Sequence, residues 1–372
     1  GPAEGTAAAD LLSTDLAGLR ALAEGATAAD VERALARPRR HLSDFAALLS
    51  PAAGRRLEDL AVASSELTLR RFGRTVRLFA PLYLSNECVS VCTYCGFSAG
   101  NQIARRTLTP AEVAAEGRAL AGRGFRHLLL VSGEHARIVN PGYLAECVRV
   151  LAPFVPSISL EAQVWDTPTY RRLVEAGCEG LVVYQETYHR PTYAELHLKG
   201  RKRNYDWRLA APDRGAAAGM RRLGIGALLG LTGDWRAEAL ALAVHARALV
   251  RRWWRCEVSV SLPRLRPAAG GFSPVEAVGD RQLVQLICAL RLALPDVGIA
   301  LSTREPAALR DAAVALGVTT LSAGSHTEPG GYAAPSAAEP QFQVADTRSP
   351  AEVAAALRAA GYDPVWKDWE RA

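Results

Sequence analysis

Three cysteines, Cys88, Cys92 and Cys95, fall within eight positions of the stretch Y-L-S-N-E-C-V-S-V-C-T-Y-C-G-F-S. Thiolates are soft ligands suited to zinc and to iron–sulfur clusters. Four of them would close a tetrahedral zinc site or give one to each iron of a cubane. Three leave a position vacant. Zinc could fill it with a histidine, His127 and His135 being available. Structural zinc sites, however, usually draw their ligands as two spaced pairs, and this is a single C-x3-C-x2-C loop. Spacing and thiolate softness together favour a [4Fe-4S] cluster whose fourth iron is open to a small molecule. The other cysteines, Cys147, Cys178, Cys256 and Cys288, are scattered and expected to pack as small apolar groups. Seven cysteines without even spacing do not make a disulfide framework. A reducing cytoplasm is the expected compartment.

The elements that must position these thiols can be read around them. Before residue 75 the chain is rich in Ala, Leu, Arg and Glu and reads as short helices, for example over 28–36 and 43–50. Beyond Pro81, short apolar runs alternate with amphipathic stretches. The runs lie at 80–85, 127–132, 157–161, 180–184, 226–231, 257–262, 298–302 and 318–322. Most are nearly continuously apolar, as parallel strands buried on both faces are. Helices are predicted between them, one starting at Thr109-Pro110 with Glu112 in its first turn, others near 141–152, 168–177, 213–222, 236–252, 280–292 and 306–316. Eight strands alternating with helices predict an α/β fold, a (β/α)8 TIM-type barrel. The expected division is an N-terminal helical extension over 1–75, the barrel over 76–345, and a C-terminal helix and tail over 346–372 packing on the barrel.

Such a barrel keeps its active site at the C-terminal strand ends. The segments just past the apolar runs carry, in chain order, the cysteine loop, Gly133-Glu134, Glu161 with Gln163, Gln185-Glu186-Thr187-Tyr188-His189, Arg264 with Arg266, Thr303-Arg304-Glu305, and Ser322 with Ser325. Loops are polar in general, but that alone does not set charges directly against the ends of apolar runs.

Bulk properties exclude some classes. With 372 residues and 49% apolar composition the chain can bury a large core. No apolar run approaches eighteen residues, so no membrane span is expected. The N-terminus lacks a basic region followed by an apolar stretch, so no secretory leader is expected, and Gly1-Pro2 reads as a cleavage scar. Net charge is +6, but Lys and Arg are spread along the chain, and nucleic acid is not an expected partner. The densest run, Lys199-Gly200-Arg201-Lys202-Arg203, reads as a solvated loop or as a docking patch for an acidic partner. Arg251-Arg252-Trp253-Trp254-Arg255 reads as a helix end. Gly224-x-Gly226-x3-Gly230 lies within a predicted strand and is no dinucleotide fingerprint.

The cysteine loop, with Tyr94 before its last cysteine, resembles that of the radical S-adenosylmethionine (SAM) superfamily. Together with L-L-L-V-S-G-E-H, V-Y-Q-E-T-Y-H, S-L-P-R-L-R-P, L-S-T-R-E, P-G-G-Y and P-V-W-K-D-W, it is similar to the tyrosine lyases (2-iminoacetate synthases) of anaerobic thiamin biosynthesis, over roughly 80–370. The resemblance implies Cys88, Cys92 and Cys95 as cluster ligands, with SAM chelated at the open iron. It implies Tyr94 near the adenine, Gly133-Glu134 at the SAM ammonium and Glu161 at the ribose hydroxyls. By likeness to related aromatic amino acid lyases, it implies that Tyr83, Arg304 and Ser322 hold the backbone groups of the substrate. A planar guanidinium suits a carboxylate, although Arg304 could instead pair with Glu305. Arg264 and Arg266 could brace the mouth. Tyr188, His189, Glu186 and His326 are candidates for the phenol.

The implied reaction removes hydrogen from the amino group of tyrosine with the 5′-deoxyadenosyl radical and splits the Cα–Cβ bond. The products are 2-iminoacetate (dehydroglycine) and p-cresol. Implied partners are thiazole synthase and a flavodoxin or ferredoxin electron donor. Three alternatives are a hydrogenase-maturing tyrosine lyase, weakened because no cysteine comes after Cys288, a tryptophan lyase of thiopeptide biosynthesis, and a non-catalytic metal-binding module.

Overall fold

The computed structural model describes residues 1–366. Eight parallel strands close into a barrel: β1 (Thr75–Ser85), β3 (His127–Ser132), β4 (Ser157–Glu161), β5 (Gly180–Glu186), β7 (Arg222–Ala227), β8 (Glu257–Ser261), β9 (Gly298–Leu301) and β10 (Thr320–Ser322), with β10 pairing back onto β1. Two short strands, β2 (Val91–Cys92) and β6 (His197–Lys199), form an antiparallel pair outside the barrel. A last strand, β11 (Asp363–Val365), adds in parallel to Thr75–Arg77 of β1. Of the C-terminal motif P-V-W-K-D-W, residues 367–369 lie outside the described residues.

Helices alternate with the strands because amphipathic stretches must cover the outer faces of strands that are apolar there. The helix Pro110–Gly122 starts as predicted. Thr109 Oγ1 accepts from the Glu112 amide at 3.3 Å, and the Glu112 carboxylate accepts from the Thr109 amide at 2.7 Å. The N-terminal helices between Ala7 and Phe72 pack on the barrel helices Trp235–Arg252 and Asp280–Ala293 and share one apolar core with them. At the end of the first of these, Arg252 pairs with Asp10 (Nε to Oδ2 2.6 Å), so the basic–aromatic run over 251–255 does close a helix.

One predicted strand is displaced. The apolar run 226–231 pointed to a strand there, but β7 occupies Arg222–Ala227. Leu228 and Leu231 lie beyond it and pack with Cys92, Tyr94 and Leu196 beneath the cysteine loop. The run stays apolar past the end of the strand because it floors a second, smaller core, and only two of the three glycines of 224–230 belong to the strand.

Candidate active site

The cysteine loop leaves β1 at Ser85 and is held by side chains from within itself. Asn86 donates to the Ala104 carbonyl (2.8 Å) and accepts from the Arg106 amide (2.7 Å). Arg105 gathers the carbonyls of Asn86, Phe97 and Ser98 at 2.6–2.8 Å, and Asn101 those of Cys95 and Gly96 at 3.1 and 2.9 Å. The β2–β6 pairing ties Cys92 to His197 across the ladder. Two close approaches require glycine: a Cβ on Gly133 would fall on the Glu87 carbonyl, and one on Gly96 on the Gln341 carbonyl.

None of the three thiols is in a disulfide; Cys92 is buried, Cys88 and Cys95 half-buried. Burial pushes the Cys88 thiol up to about 11 and Cys92 higher still, with the Lys202 ammonium opposing burial at Cys92. Thiolates here therefore need a cationic group to stay ionised. Among the described residues no three His, Cys, Asp or Glu side chains converge on a site for one metal ion. A cubane takes each thiolate on a separate iron, and this donor set fits that group. His127, available in sequence as a zinc ligand, instead points into the barrel, its Nε2 3.2 Å from Ser159 Oγ.

Beside the loop lies a buried ionic network. Arg208 Nη1 meets Glu134 Oε1 at 3.2 Å, and its other amino nitrogen lies 3.7 Å from Glu186 Oε1, which Lys202 Nζ meets at 2.6 Å. Glu134 also accepts from Ser90 Oγ at 3.2 Å. Burial disfavours charge throughout. Even so, Glu186 is held below the usual carboxylate range by Lys202 and Arg208, and both cations are held above theirs by the carboxylates. Lys202 also stands 5.7 Å from the centre of the Tyr94 ring, whose hydroxyl lies 2.8 Å from His197 Nε2.

Glu186 is the one non-glycine residue with positive φ among those described, at 70°. Left-handed backbone costs a residue of this kind about 1–3 kcal/mol and persists where the surroundings over-determine it. Here the Glu186 carbonyl accepts from the Leu228 amide at 2.7 Å, and buried Glu238 clamps the next two residues, accepting from Thr187 Oγ1 (2.5 Å) and the Tyr188 amide (2.8 Å).

Across the mouth the bonding is sparser. Tyr94, Cys95, Glu161, Glu186, Lys202 and Arg304 line one cleft, joined by Arg266, Gln341 and Phe342. Arg304 does not pair with Glu305, which is taken by Arg264 (Nε to Oε1 2.9 Å), itself also bound to Asp280 at 2.8 Å. Among the described residues Arg304 has no carboxylate in ion-pair contact; it stacks 3.4 Å from the centre of the Phe342 ring. The Arg266 Nε is buried without a hydrogen-bond partner among the described residues. Glu161 is raised to about 7, first by burial and then by Glu186, with Arg304 pulling the other way. Tyr83 donates to Gln341 Oε1 at 2.8 Å, and Gln341 Nε2 points at Cys95 Sγ, 3.8 Å away. Ser322 Oγ accepts from the Thr303 amide at 3.1 Å, bracing the turn that carries Arg304.

Several sequence expectations are corrected. Lys202 belongs neither to a solvated loop nor to a docking patch: it is half-buried and paired with Glu186, while Lys199, Arg201 and Arg203 are exposed. Tyr188 and His189 turn away from the mouth: the Tyr188 hydroxyl meets His245 Nδ1 at 3.0 Å, and the His189 side chain caps the helix Arg190–Leu196. His326 is engaged by Glu328 at 2.8 Å. Residues the sequence reading missed are Arg208, Arg105 and Gln341. Arg208 comes after a short strand and a 3-10 turn that carry no apolar signal, and Gln341 lies in an irregular segment after β10.

The chain is similar to known proteins in sequence and in fold. Residues 82–243 match the Radical SAM superfamily and residues 261–363 the Biotin and Thiamin Synthesis associated domain. A 2-iminoacetate synthase of Escherichia coli (strain K12) is 47% identical over 95% of this chain and 93% of its own length. One from Salmonella typhimurium (strain LT2) is 45% identical over the same shares. Among solved structures, the [FeFe]-hydrogenase maturase HydG aligns with TM-score 0.90 at 31% identity over 96% of this chain and 81% of the other. HydG of Carboxydothermus hydrogenoformans aligns at 0.84 and 33%, over 91% and 78%. Methylornithine synthase (PylB), at TM-score 0.74 and 22% identity over 90% and 97%, shares the fold.

Proposed function

Since this chain belongs to the 2-iminoacetate synthase family of radical SAM enzymes, we propose that it cleaves the Cα–Cβ bond of L-tyrosine to 2-iminoacetate and p-cresol, converting SAM to methionine and 5′-deoxyadenosine. The observation that carries the reading is the three-thiol loop facing a mouth where Arg304, without a carboxylate in ion-pair contact among the described residues, stacks on the Phe342 ring. When bound, the [4Fe-4S] cluster and SAM supply a primary carbon radical. The protein's own task is to present one N–H to it and exclude other hydrogen donors.

Cys88, Cys92 and Cys95 hold the cluster, with Lys202 offsetting negative charge beside Cys92. Tyr94, Gly133, Glu134 and Glu161 hold SAM. Glu134 keeps acceptor capacity after its bonds to Arg208 and Ser90, which supports a contact with an ammonium. Glu161, half-buried in the cleft and without a hydrogen-bond partner among the described residues, is suited to accept from hydroxyls. Arg304 takes the tyrosine carboxylate; its stacking on Phe342 pre-orients the fork. Tyr83 and Ser322 take the amino group. The Ser322 hydroxyl accepts one backbone bond and keeps its proton and a lone pair.

The product passes to a thiazole synthase, and the electron comes from a flavodoxin or ferredoxin. Lys199, Arg201 and Arg203 are exposed on the segment that pairs with the cysteine loop, which supports docking of an acidic donor there.

An anaerobic assay with SAM, reductant and tyrosine tests the reading. We expect p-cresol and 5′-deoxyadenosine together. An indole product from tryptophan, with no p-cresol from tyrosine, would overturn it.

A further inference from the structure

The irregular segment that follows β10 touches the cysteine loop and the Arg304 side of the mouth with two consecutive residues. Gln341 is fixed through its backbone. Its amide donates to the Thr327 carbonyl at 2.8 Å, and its own carbonyl lies where a Cβ on Gly96 would fall. The next residue, Phe342, carries the ring under Arg304, and its carbonyl accepts from Thr327 Oγ1 at 2.9 Å. The Gln341 side chain lines the cleft between these points. Its Oε1 accepts from the Tyr83 hydroxyl at 2.8 Å, and its Nε2 lies 3.8 Å from Cys95 Sγ. One amide therefore stands between a cluster ligand and the tyrosine assigned above to the substrate's amino group.

The two ends of that amide stop being interchangeable once Cys95 holds a cluster. A thiol tolerates either orientation, because it is both a weak donor and a weak acceptor. A ligating cysteine is a thiolate. It has no proton to give, so it repels the amide oxygen and favours the N–H. Oε1 is then left facing Tyr83, and an acceptor there requires the phenol to donate. Tyr83 has one proton and keeps it, since burial and the nearby Glu161 hold the group well above its usual range. With that proton directed at Gln341, the Tyr83 oxygen has only lone pairs to offer. Glu161 and Arg304, which line the cleft, both act on this hydroxyl. A ligand group placed against it must bring a hydrogen. An amino group does so whether protonated or neutral, and a carboxylate does not. The order of donors and acceptors thus turns an amino acid one way round, with its carboxylate on Arg304 and its amino N–H on Tyr83.

We propose that Gln341 is a positioning residue that joins Cys95 to Tyr83: it gives an N–H to the ligand sulfur and takes the Tyr83 proton, which leaves Tyr83 as an acceptor for the substrate's amino group. The inference rests on the tyrosine-lyase reading and adds to it a residue that orients the reacting nitrogen. It also carries a consequence that needs no substrate. Hydrogen bonds to the sulfurs help to set a cluster's potential, and a donor favours the reduced, more negative form.

The experiment uses reconstituted holoenzyme as wild type, Gln341→Leu, Tyr83→Phe and the double variant. Gln341→Leu should lower the cluster's midpoint potential in a spectroscopic redox titration and raise the tyrosine KM by about tenfold, while keeping the change that SAM makes in the paramagnetic spectrum. Tyr83→Phe should raise the tyrosine KM and leave the potential at the wild-type value. The double variant should combine the potential of Gln341→Leu with the KM of Tyr83→Phe, because residues acting through one bond are not additive. A wild-type potential in Gln341→Leu overturns the proposal. So does a double variant whose KM increase is the product of the two single increases. If Gln341→Leu assembles no cluster, Gln341→Met, unbranched like glutamine, is scored by the same criteria. A wild-type enzyme that makes no p-cresol fails the functional reading instead, and the potential, measured without turnover, tells the two failures apart.

Discussion

The two sides of the barrel mouth use buried charge in opposite ways. On the side of β3 and β5, Glu134, Arg208, Glu186 and Lys202 satisfy one another. On the side of β8 and β9, Arg264 consumes Glu305 and Asp280, which leaves Arg304 facing the cleft with an aromatic ring beneath it, and Arg266 Nε with no partner among the described residues. Desolvated charge is costly unless paired. The first side has met that cost within the chain and forms a finished wall beside the cysteine loop. The second defers it to a ligand, and that is how a site acquires specificity for a carboxylate.

Arginine substitutions on the two sides should therefore fail differently. Arg208→Met strands two carboxylates in a buried network, and breaking such pairs costs about 3–5 kcal/mol. We expect a fall of that order in unfolding free energy, read from anaerobic denaturant titration, and with it a loss of the SAM-induced spectral change. Arg304→Ala should leave the denaturation midpoint nearly unmoved and raise the tyrosine KM by about 100-fold, equivalent to losing one buried charged partner. Its SAM requirement should stay the same. Equal effects of Arg304→Ala on tyrosine and SAM, or a stability loss matching that of Arg208→Met, would erase the distinction between the two sides.

The same contrast marks how far the sequence could be read. Barrel strands and helices were legible because apolar runs and caps are local signals: the Thr109–Glu112 box formed where its spacing put it. The cysteine loop and Arg304 were legible because their chemistry is unusual in its setting. Lys202 was not. It sits in a basic run indistinguishable from its neighbours, and only the β2–β6 pairing, joining segments about a hundred residues apart, carries it inside while Lys199 stays out. The backbone of Glu186 was equally hidden, since its left-handed turn is enforced by Glu238 and Leu228 from other parts of the chain. The β7 boundary was misread because the leucines after it serve a second core. What the sequence concealed was the pairing between distant segments, which no local pattern encodes.

The smallest effect that separates the two sides is a pH dependence. Glu161 faces both: burial and Glu186 raise it to about 7, while Arg304, Arg208 and Lys202 oppose. Its unfolded value is near 4.5, so between these values the folded state binds more protons than the unfolded state. Stability therefore falls as pH rises, the contribution being complete below the unfolded value and lost through pH 7. From pH 6 to 8 the folded carboxyl goes from mostly protonated to mostly ionised, which amounts to about 1 kcal/mol. We expect the denaturation midpoint of the ligand-free holoenzyme to drop over that interval and Glu161→Gln to flatten the drop by this amount. Glu238, which burial also raises to about 7, is present in both proteins and cancels in the difference. Identical pH slopes in the two proteins would mean that Glu161 is already ionised at pH 6, drawn into the paired network, and that the open side of the mouth is narrower than the charges around Arg304 imply.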